Sequence, residues 1–503
     1  MRIALVPLDD RPVNTDLVRD VAAIAGGAVE LPPAALLPDY RAAGDADAIG
    51  AWLLDVAHDN LDAAVVSLDM LGFGGLIPSR TNHDSLRVAL QRIAVLETIH
   101  AQLPALRLGA LNVFLRASNS NSAAEEPEYW ADYGKLLHSL GAQAHQAWLD
   151  RLGQGPGEVD IPQIPHDVRR DFAVRRLRNH GVNLAGLDLL HAGTVETLLL
   201  TADDTAPMSA GSAEQVWVDY WRTLLGPHDD LLVYPGADEV AAVMAARMLG
   251  RHHGLTTTFT VTCVEAEGLS RIAPFENVPL ATTVRRQIQA AGGHLVAEGA
   301  DIELVVHAPS PEGGDLYDSR PTRTREDIVA ATVQAVTSAL DDGRQVAVAD
   351  CRWPNGGDPD LVEALVASGA LSRLVAYGGW NTAGNTVGST VAAAVATVVG
   401  RRAGTFDAEA QRRFLLTRVI EDYGYQSVVR HEVIGRGHQD IDPTLQGPRG
   451  DGEAAVVRSR LTELLGGVDP AWEVVSVRFP WRRPFEIGLR LDPATHRPTA
   501  PHP

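Results

Sequence analysis

Short apolar runs recur along this chain, each ending abruptly in a polar cluster and followed by a stretch with helical periodicity. The runs are Ile3–Leu8, Ala63–Leu68, Leu111–Leu115, Thr197–Ala202, Leu231–Tyr234, Ile302–His307, Val346–Ala349 and Leu374–Tyr377. Continuous apolar segments of this length, without alternation, predict strands buried on both faces, as in a parallel sheet. Between them, apolar residues at three- and four-residue spacing predict covering helices. Examples are Leu17, Val18, Val21 and Ile24, and later Val387, Val391, Val395 and Val398. Gly26-Gly27 and Gly292-Gly293 close two of the predicted helices.

Strand–helix alternation over some 400 residues predicts an α/β protein with a parallel sheet. Seven of the eight runs deliver polar or charged residues at their carboxyl ends. A closed (β/α)8 TIM-like barrel gathers all such ends on one face, whereas a doubly wound parallel sheet brings together only those near its switch point. The count favours the barrel, with the doubly wound sheet as the alternative. It holds only if the alternating stretch Thr256–Val264 and the extended Leu31-Pro32-Pro33 are treated as accessory. Residues 1–404 then form the catalytic domain and 405–503, where alternation breaks down, a C-terminal α+β extension.

With 503 residues, 45% hydrophobic and 21% charged, the chain has material for a large core. A net charge of −21 argues against nucleic acid and against an anionic membrane surface as partners. Two cysteines give neither a disulfide framework nor a zinc spacing. The first apolar run is too short for a secretory leader, so a cytoplasmic location is expected. Homo-oligomerisation is left open.

The polar clusters carry the chemistry. Asp203-Asp204 ends the run Thr197–Ala202. Two adjacent carboxylates in a cleft can divide the roles of acid and base, because one raises the pKa of the other. Asp204 is the candidate general acid and Asp203 its helper, with Asp238 or Glu239 as other candidates for the second carboxylate. On an extended strand end the two side chains diverge, so the turn at Thr205–Pro207 must reorient one of them. Asp9, Asp10 and Arg11 suit either an internal ion pair or hydroxyl recognition, and Asp69 and Arg80 are expected to pair across the rim. Asn119, Asn381 and Asn385 offer donors and acceptors to a hydroxyl-rich ligand, although Asn381 equally suits a helix N-cap. Trp380 follows a strand tip, where a ring can stack on a sugar or pack in the core. Asp350 completes the set of acidic tips. No phosphate loop, dinucleotide fingerprint or nucleophile elbow is present, and no cofactor is expected. If the acidic tips converge on a cation instead, Mg²⁺ or Mn²⁺ is the metal that oxygen ligands favour.

Several motifs taken together resemble the bacterial DUF4127 family. They are Val6–Asn14, Ser67–Met70 with Gly74-Gly75 and Ser79-Arg80, Asp203–Pro207, Pro235–Glu239 and Trp380–Asn385, and the similarity continues to Asp422–Gln426 and Arg430. Members often carry Tyr-Gly after the Asp-Asp-x-x-Pro, where this chain has Met208-Ser209. That family name carries no activity. By architecture alone, a tandem Asp-Asp on a fourth barrel strand resembles the retaining β-N-acetylglucosaminidases, which implies that one Asp holds an acetamido group and its neighbour is the acid/base. The expectation is a glycosidase acting on a small glycoside or amino-sugar conjugate. The rivals are a divalent-metal hydrolase or lyase, and a non-catalytic sugar-binding protein.

Overall fold

The computed structural model describes residues 1–154, 159, 163–226, 228–316, 323–434, 445 and 447–494. Its strands divide between two open parallel sheets. The first contains β1 (Arg2–Val6), β2 (Ala28–Glu30), β3 (Ala63–Ser67), β4 (Arg107–Phe114), β5 (Thr197–Ala202) and β6 (Leu231–Pro235), in the order β2-β1-β3-β4-β5-β6. The second contains β7 (Thr258–Thr262), β8 (His294–Leu295), β9 (Ile302–His307), β10 (Val346–Asp350) and β11 (Ala376–Gly378), in the order β8-β7-β9-β10-β11. An antiparallel pair, β12 (Trp472–Arg478) and β13 (Gly488–Pro493), stands apart near the C-terminus.

All eight expected strands form, but their pairing among the described residues does not close a ring. The expectation of a barrel is corrected for a specific reason. Of the two stretches set aside as accessory, Thr256–Val264 contains a strand, and Leu31-Pro32-Pro33, itself in no strand, directly follows one. Thr258–Thr262 is inserted between β8 and β9, pairing with each, and its mixed exposure comes from one partly open face. Ala28–Glu30, just before Leu31, is a three-residue edge strand on β1. With these restored, each sheet begins with the order 2-1-3-4-5, in which the chain reverses direction across the sheet between its first and third strands.

Alternating residues of each strand feed different cores, which is why the strands read as unbroken apolar runs. In the first sheet, Ile3, Leu5, Val65 and Leu199 face one way, and Ala4, Val6, Val66 and Leu200 the other. The first set shares a core with Ile302, Leu304, Val306, Ala347 and Ala349 of the second sheet. Helices Asp16–Ile24, Val240–His253, Leu280–Ala290 and Ala383–Ala403 contribute to that shared layer. Ala383–Ala403 is long and apolar enough to cross a membrane, and its apolar window is fully buried here as the central helix. The outer face of the second sheet, with Val305, Val346 and Val348, is covered by helices Glu326–Asp341 and Pro359–Ala367.

The register sets several strand ends level. Phe114 lies beside Ala202, Ala202 beside Pro235, and His307 beside Asp350. The loops leaving β4, β5 and β6 therefore start from one edge. Leu416, Tyr425, Leu461, Trp472, Ile487 and Leu491 build a small core of their own. From it the segment between β12 and β13 reaches back over that edge.

Candidate active site

A cleft opens at the carboxyl ends of the strands. It is lined by Arg11 after β1, Leu76 and Arg80 after β3, Arg116 and Glu125 after β4, Asp203 and Asp204 after β5, and Asp238 after β6. The second half of the chain adds Phe275, Asn355 and Asn381, and the β12–β13 segment adds Trp481, Arg483 and Phe485. The cleft is narrow, about 70 Å³, and open to solvent.

The Asp203-Asp204 turn answers the geometric requirement set by the sequence. Asp204 has a left-handed backbone, φ 38°, which turns its side chain to the same side as that of Asp203. The Nη1 atom of Arg116 donates to Asp204 at 2.7 Å and lies 4.0 Å from Asp203. Asp203 accepts from Arg80 Nη2 at 2.5 Å. Burial, and then the like charge of Asp203, pushes the Asp204 carboxyl up to about 7 against the pull of Arg116 and Arg80. Its side chain is still 31% exposed to the cleft, so it can reach a ligand.

Glu125 is the hub of the guanidinium cluster. Arg80 donates to it at 3.0 Å, Arg116 Nη2 lies 2.9 Å away, and Arg483 forms a third, short contact. Burial raises its pKa, but Arg116, Arg483 and Arg80 outweigh that effect and hold it well below the usual carboxylate range. Arg116 is oriented further by Glu126 at 2.7 Å. On the opposite wall Arg11 spans Asp9, at 2.7 Å, and Asp238, with Glu486 at 3.7 Å. Asn14 and Asn381 donate to Asp238 at 3.4 and 3.3 Å, and the Asp238 backbone N–H donates to Asn385 at 3.2 Å. The Trp481 indole lies 4.6 Å from both the Arg11 and the Arg483 guanidinium groups and donates to Asp10 at 2.7 Å. Burial and the neighbouring Asp9 push Asp10 up to about 6.

Backbone strain concentrates here. Of the eight described non-glycine residues at positive φ, Asp204, Phe275, Asn355, Asn381 and Trp481 line the cleft. Tyr40 packs against Trp481, ring centroids 5.2 Å apart and planes tilted by 55°, and Arg482 is the chain neighbour of Trp481. Each such residue costs on the order of 1–3 kcal/mol and persists where the surroundings fix it, characteristically at binding and catalytic sites. The surroundings do so here: Thr205 N–H donates to the Phe275 carbonyl at 2.9 Å, and Asn355 N–H to that of Asn381 at 3.0 Å. The Phe485 carbonyl accepts from Gln426 at 2.8 Å and that of Pro484 from Tyr425 at 2.6 Å. The Asp422–Gln426 motif thus anchors the arm that carries Trp481 and Arg483.

The structure therefore brings together Arg11, Arg80, Asp203, Asp204, Asp238 and Asn381, with Asp9, Asp10 and Asn385 immediately behind. Other expectations need correction. Asp69 is buried below the rim, where it accepts from Val113 N–H at 3.0 Å, and Arg80 instead pairs with Asp203 and Glu125. Glu239 points away from Asp238 into the protein and accepts from Gln287 at 2.6 Å. Asp350 is fully buried under Tyr377 and the Asp358 N–H, at 3.0 and 2.7 Å. Trp380 is core, packed on Phe485 at 6.2 Å. Asn119 is exposed and outside the cleft. Asn381 does not cap the following helix; Thr382 does. Among the described residues, no group of three or more His, Cys, Asp or Glu is gathered as a metal site. The carboxylates lining the cleft are engaged by guanidinium groups.

Arg116, Glu125, Phe275, Trp481, Arg483 and Phe485 were not singled out from sequence. Arg116 follows a strand run, so the rule that selected the other tips could have found it. The Pro480-Trp481-Arg482-Arg483-Pro484-Phe485 string was also a compositional signal.

The DUF4127 family model, described as a protein of unknown function, matches residues 3–490. The chain belongs to the DUF4127 family. No curated protein sequence and no solved structure matches it. The matched span covers both sheets and the β12–β13 arm, so every residue of the cleft in this DUF4127 member lies inside it.

Proposed function

We propose that this protein is a hydrolase of the glycosidase type that acts on a small glycoside or amino-sugar conjugate. In this reading Asp204 donates a proton to the leaving oxygen and Asp203 is its partner carboxylate. The two open sheets are read as doubly wound, and the cleft lies where their carboxyl edges meet. The reading rests on the carboxylates themselves and not on a barrel.

The observation that carries it is the left-handed turn at Asp204, which aims two adjacent carboxyls into one cleft with the second raised to about 7. A carboxyl with that pKa is half protonated at neutral pH, as a general acid requires. The lining is electrically balanced, with four guanidinium groups against four carboxylates. That favours a neutral polar ligand over a highly charged one. Phe275, Trp481 and Phe485 offer ring faces and Asn355 and Asn381 offer amides, a combination suited to a sugar. The metal-dependent alternative is less favoured, because binding a cation would require breaking several arginine pairs.

The test is a panel of nitrophenyl glycosides, N-acetylhexosaminides included, assayed with and without divalent metal. Release of nitrophenol without metal supports the reading, and strict metal dependence overturns it. The pH profile gives a second test. A general acid must be protonated, so activity is expected to fall as pH rises through about 7. Asp203→Asn removes the like charge that helps raise Asp204. The alkaline limb of the profile should therefore move to lower pH in that variant, and an unmoved limb would show that Asp204 is not the titrating group.

A further inference from the structure

Helix Ala210–Leu225 is amphipathic in the inverted sense. Its buried residues include Ser212 and Gln215, whereas Trp217, Tyr220, Trp221, Leu224 and Leu225 face outward. Their spacing, i, i+3, i+4, i+7 and i+8, is that of one helix face. Each is between 42% and 62% exposed. Trp148, from the adjacent helix Trp130–Gln154, stacks on Trp217 at 5.4 Å, and Trp217, Tyr220 and Trp221 continue the run of rings edge to face.

We propose that this face is the contact surface of a symmetric dimer, with a second copy of the chain as its occupant. Aromatic side chains carry roughly 150–250 Å² each. Half-exposed, with the two leucines, they present roughly 500 Å², approaching the ~800 Å² that each partner gives to a standard interface and at the upper end of what monomers expose. The flank carries both signs: Asp219 and Arg222 pair at 3.0 Å. Already neutralised within the chain, this flank sets no like charge against the same flank of a second copy across a two-fold axis. An anionic bilayer is disfavoured by the net charge of −21. Two such helix pairs stacked face to face give a four-helix contact.

The inner face of the same helix supports the cleft. Ser212 lies 3.1 Å from the Thr205 hydroxyl, next in sequence to Asp204, and accepts from Asn277 at 3.1 Å. Dimerisation therefore braces the wall that carries the Asp203-Asp204 turn, whatever the reaction catalysed there.

Sedimentation equilibrium of the full chain is expected to show a species of twice 53.8 kDa at micromolar concentration. W217E/L224E should raise the dimer dissociation constant at least 100-fold with an unchanged circular dichroism spectrum. V174E/L177E, at exposed apolar positions on another helix, should leave the dimer intact. Hydrogen exchange of the wild-type chain at high and low concentration tests the same point without a variant, and protection of 210–225 should be lost on dilution. A monomer at 50-fold higher concentration, a dimer that survives W217E/L224E, or a monomer that floats with phosphatidylcholine vesicles would each overturn the proposal.

Discussion

Asp204→Asn is expected to lower turnover of a glycoside with an alcohol leaving group, which must be protonated to depart, by roughly 10²–10⁴-fold, the usual contribution of a positioned proton donor. The fold should survive. Asparagine tolerates left-handed backbone at least as well as aspartate, so the φ of 38° costs nothing new. The amide matches the carboxyl in shape. Arg116, which loses one anionic partner, keeps Glu125 and Glu126 at 2.9 and 2.7 Å. The melting temperature should therefore change little while the rate collapses. Rate assays with thermal melts of the same preparation decide the matter. Undiminished turnover would remove Asp204 from the chemistry, and a joint loss of rate and melting temperature would assign it to the scaffold. Asp203→Asn differs in kind, because it shifts the pH profile as well as the rate.

Much of this arrangement could be read from the chain, within physical limits. Strands buried on both faces announce themselves as apolar runs, so Ile3–Leu8 or Thr197–Ala202 could hardly be missed. Which strand pairs with which is not written in such runs. Seven loaded tips satisfy a ring and a pair of open sheets equally well. The deciding information lay in β7, whose partly open face made it read as peripheral, and in β2, which is only three residues long. Tip position likewise brings a residue to the edge without saying which way its side chain points. Asp238 and Glu239 are neighbours, yet one grips Arg11 while the other turns inward to Gln287. The residues that close the cleft from above, Trp481 and Arg483, lie more than 100 residues beyond Asn355 and belong to no strand tip. Only the folded arm, pinned by Tyr425 and Gln426, brings them there.

Arg11→Met should be the most destabilising single change in the cleft. Arg11 is 4% exposed and stands among Asp9, Asp238 and Glu486, two of them within hydrogen-bond reach. Removing the cation while leaving the anions uncompensates buried charge, which costs about 3–5 kcal/mol. The cost should depend on pH in a defined direction. Burial pushes Asp238 to about 6 even with Arg11 opposing it, and without Arg11 its pKa rises further. A carboxyl whose folded pKa lies above its unfolded value binds more protons when folded, so its unfavourable contribution grows as pH rises through that interval. The variant should accordingly lose most stability above pH 7 and recover part of it near pH 5, where Asp238 is protonated and needs no cation. Denaturant midpoints at pH 5 and pH 8 measure this. A loss equal at both values would mean that packing against Trp481 accounts for Arg11's role, and a loss under about 1 kcal/mol at both would mean that the ion cluster is not what holds this wall of the cleft together.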